Sequence, residues 1–342
     1  MKVDQSAPVD GPLDPREHAA RAEREGYAGI WLSEVKHDPF LGLALAATVT
    51  ERAELGTSIA LAFARNPMSM AALANDLQGL SGGRLLLGLG AQVKAHITRR
   101  FGMPWSHPAA RMREYVLAMR AIWQCWHEGA RLDFRGDFYD HTLMTPMFVP
   151  GSHPHGAPPV LLAGVGEAMT EVAGEVCDGF VAHGFTTERY LREVTLPALR
   201  RGRERAGGSL EGFQISGSAL AVTGRTEEEL AAAAAAVRSQ IAFYGSTPAY
   251  RGVLERHGWG GLGEELHALS RDRRWTEMGA LIDDDVLRTF AAVGTPGEVA
   301  AELVQRFGDL FTRFTLYTPY PVDPAVVGNV AAAVRRAVAV PA

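Results

Sequence analysis

The stretch from Leu55 to Gln92, LGTSIALAFARNPMSMAALANDLQGLSGGRLLLGLGAQ, constrains the fold more than any other part of the chain. A β-branched run at Thr57 to Ile59 precedes the breaker pair Asn66-Pro67. An apolar helical stretch then continues to Leu80, and Ser81-Gly82-Gly83 turns into Leu85-Leu86-Leu87 and Gly88-Leu89-Gly90. This is one strand–helix–strand unit. Its second strand is apolar at consecutive positions, as a strand covered on both faces requires, so the sheet is expected to be parallel and wrapped in helices. Both strand ends pass into small residues, which leaves room for a planar ligand to approach the backbone.

The same alternation runs through the chain. Further strands are expected at Lys2 to Gln5, Ala28 to Leu32, Val160 to Ala163, Gly179 to Ala182, Phe213 to Val222 and Phe314 to Tyr317. After a Gly11-Pro12 turn, a helix starts at Asp14-Pro15 and stops at Gly26; others run from Phe40 to Arg52, Arg111 to Trp126, Glu167 to Val176 and Thr187 to Arg205. Thr226 with Glu229 has capping-box spacing, a helix resumes near Asp284, Gly294-Thr295-Pro296 caps a helix to Phe307, and Pro324 to Val340 closes the chain. Eight strands, each followed by a helix, predict a single α/β domain over residues 1–342, a (β/α)8 TIM barrel. Insertions follow strand four, near 130–158 with a small hairpin at Leu132 to Tyr139, and strand seven, near 245–283. A doubly wound open sheet is the runner-up. It is weakened because neither glycine pair completes a dinucleotide fingerprint: the third glycine position holds Val93 after Gly88 and Gly90, and Met169 after Gly164 and Gly166.

Composition sets the class. With 342 residues, 47% apolar and 21% charged, the chain can bury a large core, and its net charge of −5 gives no reason to expect nucleic acid or an anionic membrane as partner. The N-terminus shows no secretory pattern and no window reaches the ~18 apolar residues of a membrane span. A cytoplasmic enzyme acting on a small-molecule substrate is expected; a homodimer is left open. Cys125 and Cys177 lie in apolar helical patterns that suit buried free thiols. The 11 histidines show no barrel-metal pattern, since strand one ends in Asp4-Gln5-Ser6 and His153-Pro154-His155 falls in an irregular loop, so no metal ligand is assigned.

In a barrel of this kind function sits at the C-terminal strand ends. The residues collected there are Asp4, Glu34 and His37, Ser58 to Ala60, Gly90 to Lys94, Gly164 to Gly166, His183 and Tyr317. Gly164-Val165-Gly166-Glu167-Ala168 places unhindered N–H groups at a helix start, where orphan donors and the helix dipole favour an anion. Glu167 fits such a site only if it points outward. Glu34 and His37 share one short loop beyond strand two, and an imidazole with a carboxylate beside it is suited to moving a proton near neutrality.

The run LGTSI, the phrase LSGGRLLLGLGAQ, the pair PPVLLAGVGEA and AGEVCDGFVAHG, and the closing VGTPGEVAAEL resemble the bacterial luciferase-like superfamily, most closely its branch of oxidoreductases that use the deazaflavin coenzyme F420. The likeness spans nearly the whole chain. It implies a barrel without metal, a flavin-like ring laid against the end of strand three, and a non-prolyl cis peptide that by position would be Ser58-Ile59. Read from the residues alone, Thr57 to Ile59 fits an ordinary buried strand as well as a bulge that backs a ring.

The resemblance further implies hydride transfer between coenzyme F420 and a small organic substrate. Ser58, Ile59, Ala60, Gly90, Gln92, Lys94, Ala163, Gly164, Val165, Gly166 and His183 would bind the cofactor, and Glu34 and His37 would be catalytic. With FMN as the alternative cofactor, the same frame would be a two-component monooxygenase; a flavin-binding barrel without turnover is the third reading. The chain departs from its relatives in two places. A histidine often follows the acidic residue at the end of strand two, whereas Val35 follows Glu34 here; and sugar-phosphate-oxidising relatives carry a glutamate soon after the strand-four glycines, where this chain has Gln92 and Val93.

Overall fold

Eight parallel strands close on themselves: β1 (Lys2–Ser6), β2 (Gly29–Leu32), β3 (Glu54–Thr57), β4 (Leu85–Gly90), β5 (Val160–Gly164), β6 (Gly179–Ala182), β7 (Gln214–Thr223) and β8 (Arg313–Tyr317). Each pairs with the next, and β8 returns to β1 through Lys2↔Arg313, Val3↔Phe314 and Asp4↔Thr315. This is the expected (β/α)8 barrel, seen in a computed structural model that describes residues 1–8, 11 and 13–339. Pro12 of the expected Gly11-Pro12 turn and Val340 of the expected closing helix lie outside the described residues.

Local chemistry sets the helix starts. Asn66 accepts from Ser69 N (2.8 Å) before the helix Pro67–Leu80, Thr226 accepts from Glu229 N (3.1 Å) before Glu227–Gly245, and Thr295 and Glu298 form a reciprocal capping box before Pro296–Phe307. The main apolar core lies between the strands and these helices. A second one, around Phe185, Leu220, Val222 and Phe290, lies under the insertion that follows the helix Glu227–Gly245. Cys125 and Cys177 are buried and free. No helix among the described residues is long and apolar enough to cross a membrane.

Three local expectations change. The helix after β2 ends at Ala47 rather than Arg52. Strand three is split: β3 stops at Thr57, and Ala60–Leu61 resumes pairing with β4 through Ala60↔Leu89 and Leu61↔Gly90. A further strand, Ala291–Gly294, pairs with Leu220 to Thr223 of β7. It exists because β7 runs past its neighbour β6, which pairs only with Gln214 to Ser216, and the exposed edge must be satisfied. Four residues reading Ala-Ala-Val-Gly carry no alternation that would reveal it.

Asp4 is not at the mouth. Its side chain lies in the barrel floor, where it accepts from Arg313 Nε (2.6 Å), Arg313 Nη2 (3.0 Å) and Trp31 Nε1 (2.9 Å). The Arg313 guanidinium is 5.0 Å from the Trp31 ring centroid, and its Nη2 is also 3.1 Å from Glu54 Oε2. Burial opposes the charge of Arg313, but the Asp4 and Glu54 carboxylates outweigh it and hold the pKa above its ordinary value. Above this layer Trp31, Leu86, Leu161 and Val181 pack together inside the barrel. Removing one charge strands the other, so Arg313→Met is expected to destabilise the fold by about 3–5 kcal/mol. Asp4→Leu/Arg313→Met should recover much of that loss, as read from urea midpoints of the two variants against the parent.

Candidate active site

The break in strand three is the centre of the mouth. The Ser58-Ile59 peptide is cis, at the position the resemblance implied. Its flanks are tied to the end of β2: Ser58 N donates to Leu32 O (2.8 Å), Ser33 Oγ to Ser58 O (2.7 Å) and Glu34 N to Ile59 O (3.2 Å). On the other side it presses on β4. A Cβ at Gly88 would run into the Thr57 carbonyl oxygen, so that position requires glycine by close approach, and one at Gly90 would meet the tip of the Ile59 side chain, which packs into the space glycine leaves. Thr57 Oγ1 also donates to Gly88 O (2.7 Å). Ser58 and Ile59 remain half-buried, whereas Ala60 is buried behind them.

Glu34 and His37 are not brought together as a pair. The Glu34 carboxylate accepts from Arg65 Nη1 (2.7 Å) and from Leu61 N (2.8 Å), and Arg65 Nη2 donates to Asp38 (2.7 Å). Burial works against the Arg65 charge, and its bonds to Glu34 and Asp38 more than offset it, raising its pKa. Glu34 thus anchors the chain around the strand-three break, and no hydrogen bond joins it to His37, which is exposed on the loop. The separation arises because Arg65, from the far end of the same crossover, reaches the carboxylate first. Its position just before Asn66-Pro67 was the available sequence signal, and sequence reasoning missed it.

After β4, Gln92 adopts a left-handed backbone (φ 59°) and its own Oε1 accepts from Val93 N (2.8 Å). This turn starts a short helix, Lys94–Arg99, within the segment read as a connection; Lys94 is exposed on it. At β5, Ala163, Gly164 and Val165 are half-buried and Gly166 is the uncapped start of the helix Glu167–Val176. A Cβ at Gly166 would meet open space, and Glu167 points away, its carboxylate held by Arg201 Nη2 (2.7 Å). The turn therefore offers free N–H groups, room and no opposing carboxylate, which fits a phosphate-sized anion.

His183, beyond β6, borders a small cavity with Gly164, Val165 and Thr186. Its Nδ1 accepts from Phe185 N (3.0 Å), which leaves the second nitrogen as a donor in the neutral ring. Tyr244 and Tyr250 pack on the imidazole with centroids at 4.8 and 4.7 Å, and the Tyr244 hydroxyl is 3.1 Å from that of Tyr317 at the end of β8. Burial raises all three phenol pKa values, so they stay protonated at neutrality. Tyr244 lies near the end of the helix Glu227–Gly245, and Tyr250 lies in the insertion after it, whose sequence carries no readable pattern.

Burial lowers the His183 pKa from 6.5 to about 4. The unfolded chain therefore takes up this proton first as pH falls, and stability should decline from about pH 6.5 down to about pH 4 and level off below. His183→Gln, which can still accept from Phe185 N but does not titrate, is expected to reduce that slope in urea denaturation measured across this range, the remainder coming from His18, His127, His141 and His257, whose pKa values burial also lowers.

The family model for luciferase-like monooxygenases matches residues 2–313. An uncharacterized protein of Mycobacterium tuberculosis is 55% identical over 288 residues, 84% of this chain and 85% of its own. The 5,10-methylenetetrahydromethanopterin reductase of Methanolobus tindarius is 25% identical over 301 residues, 86% of this chain and 87% of its own. Among solved structures, the coenzyme F420-dependent tetrahydromethanopterin reductase of Methanopyrus kandleri superposes with a TM-score of 0.81 at 20% identity, covering 98% of this chain and 99% of that one, a likeness of fold. The chain belongs to the luciferase-like monooxygenase family.

Proposed function

We propose that this protein is an oxidoreductase that moves a hydride between coenzyme F420 and a small organic substrate. The observation that carries the reading is the juxtaposition, on neighbouring strands, of the Ser58-Ile59 ridge over Gly88 and Gly90 with the open, uncapped helix start at Gly164 to Gly166. One suits the face of a flat ring, the other its phosphate. The 25% identity to a methylenetetrahydromethanopterin reductase supports a deazaflavin in that place. When bound, the deazaflavin supplies the carbon that carries the hydride, and the protein's share is orientation, exclusion of water and management of the proton.

Ser58, Ile59 and Ala60 form the ridge on which the ring rests, with Gly90 and Gln92 beside it. Ala163, Gly164, Val165 and Gly166 receive the phosphate through backbone N–H groups, and neutral His183 adds a donor without adding charge. Lys94 supplies positive charge at the rim. Glu34 is assigned a positioning role through Arg65 and Leu61 N, and His37, on the loop above β2, is the proton carrier on its own.

Two tests follow. Deazaflavin should bind at least ~10-fold more tightly than FMN, about 1.4 kcal/mol, and Gly164→Val should abolish binding in a protein that still folds, because a Cβ there meets only side-chain atoms of Met169 and Phe180 and no backbone. Fluorescence titration with both cofactors decides this; equal affinities, or normal binding by the variant, would refute the assignment. With a substrate in hand, His37→Asn should lower turnover ~10²-fold while cofactor affinity stays within a few-fold. Unchanged turnover would pass the proton role to His183 or Tyr317.

A further inference from the structure

In a closed barrel of eight strands β7 lies across the mouth from β3, so a ring resting on the Ser58-Ile59 ridge presents its free face to the end of β7 and its neighbours β6 and β8. That side is built from phenols. Tyr317 ends β8, and its hydroxyl is 3.1 Å from that of Tyr244, which reaches over from the end of the helix Glu227–Gly245. Tyr250, on the turn after that helix, meets Tyr244 edge to face with ring centroids 6.2 Å apart. A Cβ at Gly184, beyond β6, would press on the Tyr317 ring, with Ser218 Oγ of β7 close behind it. Glycine there lets Tyr317 and Ser218 stand side by side.

Two properties of this wall decide what fits it. Its polar atoms are uncharged hydroxyls with bonds to spare. The mutual bond of Tyr244 and Tyr317 uses only one of their two hydroxyl hydrogens, which leaves one O–H for a ligand. Among the described residues no protein group meets the hydroxyls of Tyr250 and Ser218. The neighbouring cations, in contrast, are drawn away. Arg251, next to Tyr250, turns to Glu264 (3.7 Å), Arg256 pairs with Glu193, and Arg225, beyond β7, is held by Asp323 (2.9 Å) and Glu229 (3.0 Å). A phosphate or carboxylate taken up here would give up its hydration with no opposite charge to replace it, whereas a carbonyl or hydroxyl oxygen needs only the hydrogen bond on offer.

We propose that Ser218, Tyr244, Tyr250 and Tyr317 form the substrate subsite, and that the substrate is an uncharged ring compound carrying a carbonyl or hydroxyl oxygen. This inference rests on the cofactor reading above, which puts the deazaflavin on the opposite ridge. The phenol faces receive the substrate ring between themselves and the cofactor, and the spare O–H of the tyrosine pair holds its oxygen. Sugar phosphates and carboxylic acids are turned away by the same wall.

The test is saturation-transfer NMR on the full chain, with and without coenzyme F420, using four probes: naphthol, naphthalene, naphthoate and glucose phosphate. Cofactor binding is read separately by its fluorescence. The parent should bind naphthol ~10-fold more tightly than naphthalene and more tightly than either anion. Tyr244→Phe/Tyr317→Phe, which keeps both rings and removes both hydroxyls, should bring naphthol down to the level of naphthalene while naphthalene and cofactor affinities stay unchanged. Ser218→Ala, a smaller change on β7, should weaken naphthol alone by a few-fold. An anion bound more tightly than naphthol, no binding of naphthol beside a bound cofactor, or naphthol binding indifferent to both variants would overturn the subsite and leave the cofactor reading standing. Naphthol binding with the expected dependence on the tyrosine hydroxyls, in a protein that does not take up coenzyme F420, would reject the cofactor reading and uphold the wall as a site for neutral ring compounds.

Discussion

The Asp4–Arg313 ion pair is the interaction on which the rest of the barrel depends. It joins the first strand to the last, so it closes the sheet, and it does so from inside, where neither charge reaches water. Two buried charges are tolerable only when their remaining hydrogen-bonding groups are occupied. Here Trp31 supplies a donor to Asp4, while Glu54 shares Arg313 Nη2 with Asp4 and Gln214 accepts from Arg313 Nη1. The neighbours are small to make room. A Cβ at Gly29 would collide with Asp4, and one at Gly56 with the Trp31 ring. Trp31 therefore roofs the floor and starts the apolar layer above it.

A floor built in this way separates structural charge from the mouth. At the strand ends the one carboxylate that could reach inward, Glu34, is neutralised by Arg65 and tied to Leu61 N, and the half-buried imidazole of His183 is held neutral by burial. The other residues at the strand ends are uncharged: Ser58, Ile59, Gln92, Gly164, Val165 and Tyr317. Such a surface is suited to receiving a ligand that brings its own chemistry: it can fix a ring by shape and donate hydrogen bonds, while charge is concentrated on the rim. The insertion after the helix Glu227–Gly245 completes one wall, clasped to the loop after β6 by the Thr187 Oγ1···His257 Nε2 hydrogen bond (2.8 Å) and by Phe185 stacked on Phe290 at 4.6 Å.

Much of this frame was legible in the residues themselves. Period and breakers located eight strands and most helices because consecutive apolar runs such as Leu85 to Leu87, and caps such as Thr226 and Thr295, act over a few residues and need no distant partner. The glycines of β4 and the turn Gly164 to Gly166 were visible for the same reason, although only coordinates show that Gly90 is small because Ile59 lies over it. The strand Ala291–Gly294 was invisible, since it forms only where β7 outruns its neighbour.

The site divides along the same line. Order along the chain determined which loops share the mouth, and with it Ser58 to Ala60, Gly164 to Gly166 and His183 as a set, because a parallel barrel brings every strand end to one face. Which charges meet was decided by tertiary structure alone. Asp4 pairs with Arg313 across nearly the whole chain length, Glu34 with Arg65 rather than His37, and Tyr244, near the end of the helix Glu227–Gly245, with Tyr317. Spacing along a sequence specifies direction and period, whereas a long side chain can choose among partners several ångströms apart, and that choice is made by packing.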